Sequence, residues 1–131
     1  MIKFAYTILY VEDVTKTVQF YEQAFGFMTK FITPDNSYGE VITGDTTLSY
    51  ASKTLAASNL SDGFIESKIH ERPLGIEIGF TTDDVLATMK QALASGATLC
   101  EEAKEKPWGQ IVGYVRDLDG FLIEICTPMA S

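Results

Sequence analysis

An acidic pair followed by valine occurs twice in this chain, as Glu12-Asp13-Val14 and, 71 residues later, as Asp83-Asp84-Val85. Each copy opens the same pattern. Ahead of the first, residues 4–10 are rich in aromatic and branched side chains, the composition of a strand. Asp13 then supplies a helix N-cap, with Glu12 beside it at the positive end of the helix dipole. Val14, Val18, Tyr21 and Phe25 follow at helical spacing as one apolar stripe, and Gly26 closes the helix. Ahead of the second, Leu74, Ile76, Ile78 and Phe80 alternate along a strand; Val85, Met89 and Ala92 then form the stripe, and Gly96 ends it. Three strand-like segments follow each helix: 27–32, 38–43 and 47–52 in the first half, 98–102, 110–116 and 121–126 in the second. The chain therefore reads βαβββ twice, an α+β arrangement.

At 131 residues the chain is expected to form one domain, 1–131, and to bury a core without staples. Its first module is expected over about 1–52 and its second over about 74–131. Between them, 53–73 ("KTLAASNLSDGFIESKIHERP") is polar and irregular, with weak helical character near 54–59. A connection this long in a compact domain often covers or lines a site.

A net charge of −8, from 18 acids against 10 bases, speaks against nucleic acid, whose binding depends on cations that neutralise phosphates. It suits a solvated acidic surface, or attraction of cationic ligands. No stretch approaches the roughly 18 apolar residues of a membrane span. The apolar opening MIKFAYTILYV meets Glu12-Asp13 at once and lacks a small-residue cleavage site, so it reads as a strand and the protein is expected to be cytoplasmic. Cys100 and Cys126 are too far apart for a CxxC motif and read as buried thiols. "DLDG" fails as a calcium loop, because EF-hand spacing puts Val115 and Cys126 at its ends; it reads as a hairpin turn.

Two acids stand out by strand parity. Side chains alternate between faces, so in "LGIEIGF" Glu77 shares its face with Gly75 and Gly79, and sits over open space. In "RDLDGFLIEI" Glu124 shares a face with Leu122 and Cys126, opposite Phe121, Ile123 and Ile125. Either acid alone reads as a solvent-facing residue on a half-exposed sheet. As a pair in equivalent halves they point to a shared cavity.

The paired modules, the opening "YVEDVTKTVQFYEQAFGF" and the closing "PWGQIVGYVRDLDGFLIEICTP" resemble the vicinal oxygen chelate superfamily of glyoxalase I, bleomycin-resistance proteins and extradiol dioxygenases. The resemblance covers almost the whole chain. It implies that each module curls into an open mixed sheet and that the two form a cup. In the enzymes of that group a divalent metal sits there, held from the first and fourth strands of each module. Carried onto this chain, those places fall on Tyr6, Ser49, Glu77 and Glu124, with a one-residue register ambiguity that would replace Ser49 by Tyr50. The expected histidines are missing, and oxygen donors alone would hold a metal weakly. The resemblance thus leaves room for a weakly bound Mg²⁺, Mn²⁺, Ni²⁺ or Zn²⁺ at Glu77 and Glu124, or for no metal.

Tyr10 stands where glyoxalase I-like chains carry a cation for the glutathione carboxylate, so glutathione-dependent chemistry is disfavoured. Trp108 and Tyr114 are candidates for an aromatic wall; packing is the competing reading, the stronger one for Tyr114. The sole histidine, His70, reads as a surface residue unless its segment folds over the cup.

Two functions compete. One is a receptor that binds a small aromatic or cationic molecule in the cup, with Tyr6, Tyr10, Ser49, Trp108 and Tyr114 as ligand contacts. The other is a metal-dependent lyase or isomerase in which Glu77 and Glu124 are catalytic. A scaffold role would fit the fold but leave the acids unexplained. The resemblance also implies a homodimer.

Overall fold

The computed structural model describes residues 1–129. The last two residues of the expected second module, 130 and 131, lie outside the described residues. The elements run β1 (Tyr6–Val11), α1 (Val14–Phe25), β2 (Met28–Ile32), β3 (Tyr38–Ile42), β4 (Thr47–Ser52), α2 (Lys53–Asn59), β5 (Glu77–Thr81), α3 (Val85–Ala94), β6 (Thr98–Glu105), β7 (Ile111–Arg116) and β8 (Leu122–Cys126). The chain divides into two compact units. One comprises Met1–Glu22 and Gly26–Glu66, the other Gln23–Phe25 and the chain from Ser67 on.

The first unit holds a four-stranded mixed sheet in the order β1-β4-β3-β2. β1 pairs in parallel with β4, which a crossover through α1 permits, and the other neighbours are antiparallel. Val14, Val18 and Tyr21 of the α1 stripe are buried with Leu9, Val11, Leu48 and Tyr50. Tyr21 and Tyr50 bring their ring centroids within 5.0 Å. The helix begins where Asp13 accepts a bond from the Lys16 amide (3.0 Å) and ends at Gly26, whose φ of 75° suits a residue without Cβ. The helical character near 54–59 materialises as α2, capped by the Ser52 hydroxyl on the Leu55 amide (3.0 Å).

The second unit repeats the plan in the order β5-β8-β7-β6, again with one parallel pair, β5 with β8. Val85, Met89 and Ala92 are buried, along with Val112, Val115, Ile123 and Ile125. Asp84 caps α3 by accepting from the Ala87 amide at 3.0 Å. Gly113 of β7 lets that helix approach, since a Cβ there would lie 2.2 Å from the Met89 sulfur. Among the described residues no helix is long and apolar enough to cross a membrane.

Two expectations need correction. Of the two thiols expected to be buried, Cys126 is buried but Cys100 is exposed on β6. The alternating run from Leu74 predicts a strand that β5 joins only at Glu77. The Ile76 amide turns back onto the Leu74 carbonyl (2.7 Å), a three-residue turn incompatible with ladder pairing, and Ile76 is left 62% exposed.

The two N-caps allow a direct test. Asp13→Ala and Asp84→Ala are each expected to lower stability by about 1 kcal/mol, read from denaturant midpoints, because each strands a helix-terminal amide.

Candidate functional site

On the second sheet, parity and register converge on one row. Gly79 of β5 lies opposite Glu124 of β8, and Glu124 lies opposite Tyr114 of β7. The missing side chain at Gly79 leaves the space into which Glu124 folds; a Cβ there would meet Oε2 of Glu124 at 3.5 Å. From the other side, the Tyr114 hydroxyl donates to Oε1 of Glu124 at 3.1 Å. Glu77, two residues before Gly79, presents its carboxylate to the same phenol and near enough to Glu124 to feel its charge. Three of the residues singled out from the sequence thus form one cluster on one sheet face.

Electrostatics mark this cluster. Burial, followed by repulsion from Glu124, holds the Glu77 carboxyl above the usual carboxylate range, and the Tyr114 hydroxyl offsets part of this. Burial, then the hydrogen bond and charge of Glu124 and the charge of Glu77, push the Tyr114 phenol up to about 12. Cys126, two residues along β8 on the same face, is also raised, first by burial and then by Glu124. The phenol therefore stays protonated at neutral pH and donates its O–H to Glu124 in a hydrogen bond. What the cluster offers an incoming molecule is acceptor oxygens and negative charge.

On the first sheet, Tyr6 pairs with Thr47 as Glu77 pairs with Leu122, so Ser49 is the repeat equivalent of Glu124. This pairing resolves the register ambiguity to Ser49; Tyr50, its neighbour on the opposite face, packs against Tyr21. Ser49 is itself buried and donates to the Thr7 carbonyl at 3.1 Å. Tyr6 is half exposed, and Tyr10 packs edge-on against Phe64 at 4.8 Å.

This sheet also carries a polar cluster that sequence reading passed over. The Tyr38 hydroxyl donates to Oε2 of Glu40 at 2.7 Å, and the Lys30 ammonium lies 3.7 Å from Oε1. Burial raises the Tyr38 phenol, opposed by its bond with Ser49. Glu40 lies opposite Ser49 just as Tyr114 lies opposite Glu124. The available signal was parity on the third strand of the module, where Tyr38 and Glu40 share a face.

Trp108 belongs to the second unit. It is exposed in the β6–β7 turn, and its indole donates to Gln110 at 2.7 Å. It lines a small hollow with Gly109, Gln110, Pro128 and Met129. His70 is exposed in the segment before β5.

Residues 4–130 match the family described as glyoxalase-like domain. The chain belongs to that family, and so to the vicinal oxygen chelate superfamily. Solved structures with the glyoxalase-like fold agree. A glyoxalase-related enzyme from Fulvimarina pelagi superposes with a TM-score of 0.82 at 21% identity, over 98% of this chain and 89% of that one. A hypothetical protein from S. aureus gives 0.81 at 21% identity, over 98% and 95%. A glyoxalase/bleomycin resistance protein/dioxygenase family enzyme from Burkholderia phytofirmans PsJN gives 0.79 at 20% identity, over 94% and 96%. No curated protein matches the chain.

The glyoxalase-like family raises the question of a metal, and the donors present suit one poorly. Among the described residues, no group of three or more His, Cys, Asp or Glu side chains could hold a metal ion. The phenol next to Glu77 and Glu124 keeps its proton to about pH 12 and so is a poor ligand. In the first unit, the hydroxyl of Ser49 is turned onto backbone.

Proposed function

We propose that this protein binds a small molecule with a cationic group on an apolar or aromatic body, and that Glu77 and Glu124 receive the cation. The observation that carries this reading is the shared sheet face on which a phenol, hydrogen-bonded through its own O–H to Glu124, joins two carboxylates. Such a group accepts hydrogen bonds and offers negative charge on a face where Glu124 and Tyr114 are half-buried and Glu77 is exposed, and an ammonium or amidinium would relieve the repulsion there. Leu122, half-buried beside Glu124 on the same face, supplies apolar surface.

A second reading draws on the raised Glu77 carboxyl, which could carry a proton in an isomerase- or lyase-like reaction.

Calorimetric titration with benzamidinium and benzylammonium tests the proposal. Binding is expected, weakened at least tenfold in Glu77→Gln and in Glu124→Gln. Affinity should rise with pH as the cation takes over the place of the Glu77 proton. Failure of both cations to bind, with stoichiometric Mn²⁺, Ni²⁺ or Zn²⁺ uptake abolished by Glu124→Ala, would reject it in favour of metal-dependent chemistry.

A further inference from the structure

The "RDLDG" turn between β7 and β8 does more than reverse the chain. Arg116 is buried, and its guanidinium donates to four backbone carbonyls: Nε to Gly120 (2.9 Å), Nη1 to Ile69 (3.2 Å) and Glu71 (2.6 Å), and Nη2 to Lys68 (3.0 Å). The Ser67 hydroxyl adds a bond to the Asp119 carbonyl at 2.9 Å. Gly120 makes room for this arrangement. With φ at 90°, a Cβ there would stand 2.7 Å from Nη2 of Arg116 and 2.9 Å from the Ile69 nitrogen. The turn is stiffened by Asp117, whose carboxylate accepts from the amides of Asp119 (3.0 Å) and Phe121 (2.9 Å). Residues 67–71 are thereby strapped over the turn.

The strap leads straight to Glu77. Arg116 pairs with Leu122, which pairs with Glu77, so the clamp and the acid occupy one ladder row, about 10 Å apart across two strand spacings. Only five residues separate the last clamped carbonyl, at Glu71, from Glu77, and Pro73 and the Leu74–Ile76 turn stiffen them. We propose that Arg116 and Gly120 act as a positioning clamp that fixes where Glu77 enters β5, and so how it faces Tyr114 and Glu124. The ligand role of Glu77 rests on the function proposed above; the clamp itself does not. A lysine could not replace the arginine, since one compact ammonium cannot reach four carbonyls spread around a planar fork.

Amide hydrogen exchange by NMR tests the clamp without any ligand. In the unaltered protein the Arg116 Nε–H should be protected; exchange at the solvent rate would overturn the proposal. In Arg116→Lys and Gly120→Ala, strap amides and the Ile78 amide of β5 should exchange at least tenfold faster, while Val115 keeps its protection. The nuclear Overhauser contact between Glu77 and the Tyr114 ring should weaken in step. A loosened strap with Ile78 and the Glu77–Tyr114 contact unchanged would reduce the clamp to loop support and sink the claim. If these variants do not fold, Ser67→Ala applies the same readouts more gently, with at least a threefold rise expected at both places and no rise at Ile78 overturning the proposal. Benzamidinium affinity in Arg116→Lys separates the two proposals. A fivefold loss supports both, whereas failure of the unaltered protein to bind removes the function reading and leaves the exchange result standing.

Discussion

Tyr21→Ala is expected to cost about 3–5 kcal/mol, the usual range for removing a buried aromatic ring. Tyr21 lies in the middle of the α1 stripe with no exposed surface, set edge-on to Phe20 at 5.2 Å and close to Tyr50. The cavity left behind would be walled by side chains from a sheet and a helix that cannot both collapse inward. Against the 5–15 kcal/mol that holds an ordinary domain together, such a loss is large. The melting temperature should fall by roughly 10–20 °C. Tyr6→Ala provides the contrast. Tyr6 is half exposed on the open face of the same sheet, and the change there should stay within about 0.5 kcal/mol. Denaturant unfolding followed by circular dichroism measures both. A Tyr21→Ala loss below about 1 kcal/mol would mean that the stripe does not anchor the first unit.

That stripe was legible because a 3.6-residue period with a cap before it and a glycine after it has few competing readings. The strands were legible as elements but less so at their ends. β6 runs on to Glu105 through two register shifts, around Glu101, that disturb the period-two pattern a reader relies on. Leu74 and Ile76 alternate like strand residues, yet a local turn takes them out of the ladder.

The site divides in the same way. Parity along single strands was enough to pick out Glu77 and Glu124. Tyr114 as the donor to Glu124 depends on cross-strand register, which only pairing reveals. Tyr38, Glu40 and Lys30 were missed because only the first and fourth strands of each module were carried over from the resemblance. The Arg116 clamp was invisible for a more basic reason: its acceptors are backbone carbonyls, which carry no sequence signature.

The second large effect concerns Tyr114. Near-ultraviolet titration of phenolate absorbance should show one tyrosine ionising near pH 12 that disappears in Tyr114→Phe. An ordinary phenol ionises near 10. The folded state therefore keeps this proton more tightly than the unfolded chain does. Its contribution to stability is complete below pH 10 and is lost as pH rises from 10 through 12, up to roughly 3 kcal/mol in all. Replacing Glu124 by glutamine leaves burial, the largest cause, in place while removing the ionic acceptor and its charge. The Glu124→Gln phenol should thus titrate below 12 but still above 10, and the alkaline loss of stability should shrink accordingly. An unchanged titration in Glu124→Gln would show that the phenol is not bonded to that carboxylate. The acceptor-lined face on which the proposed cation binding depends would then lose its central member.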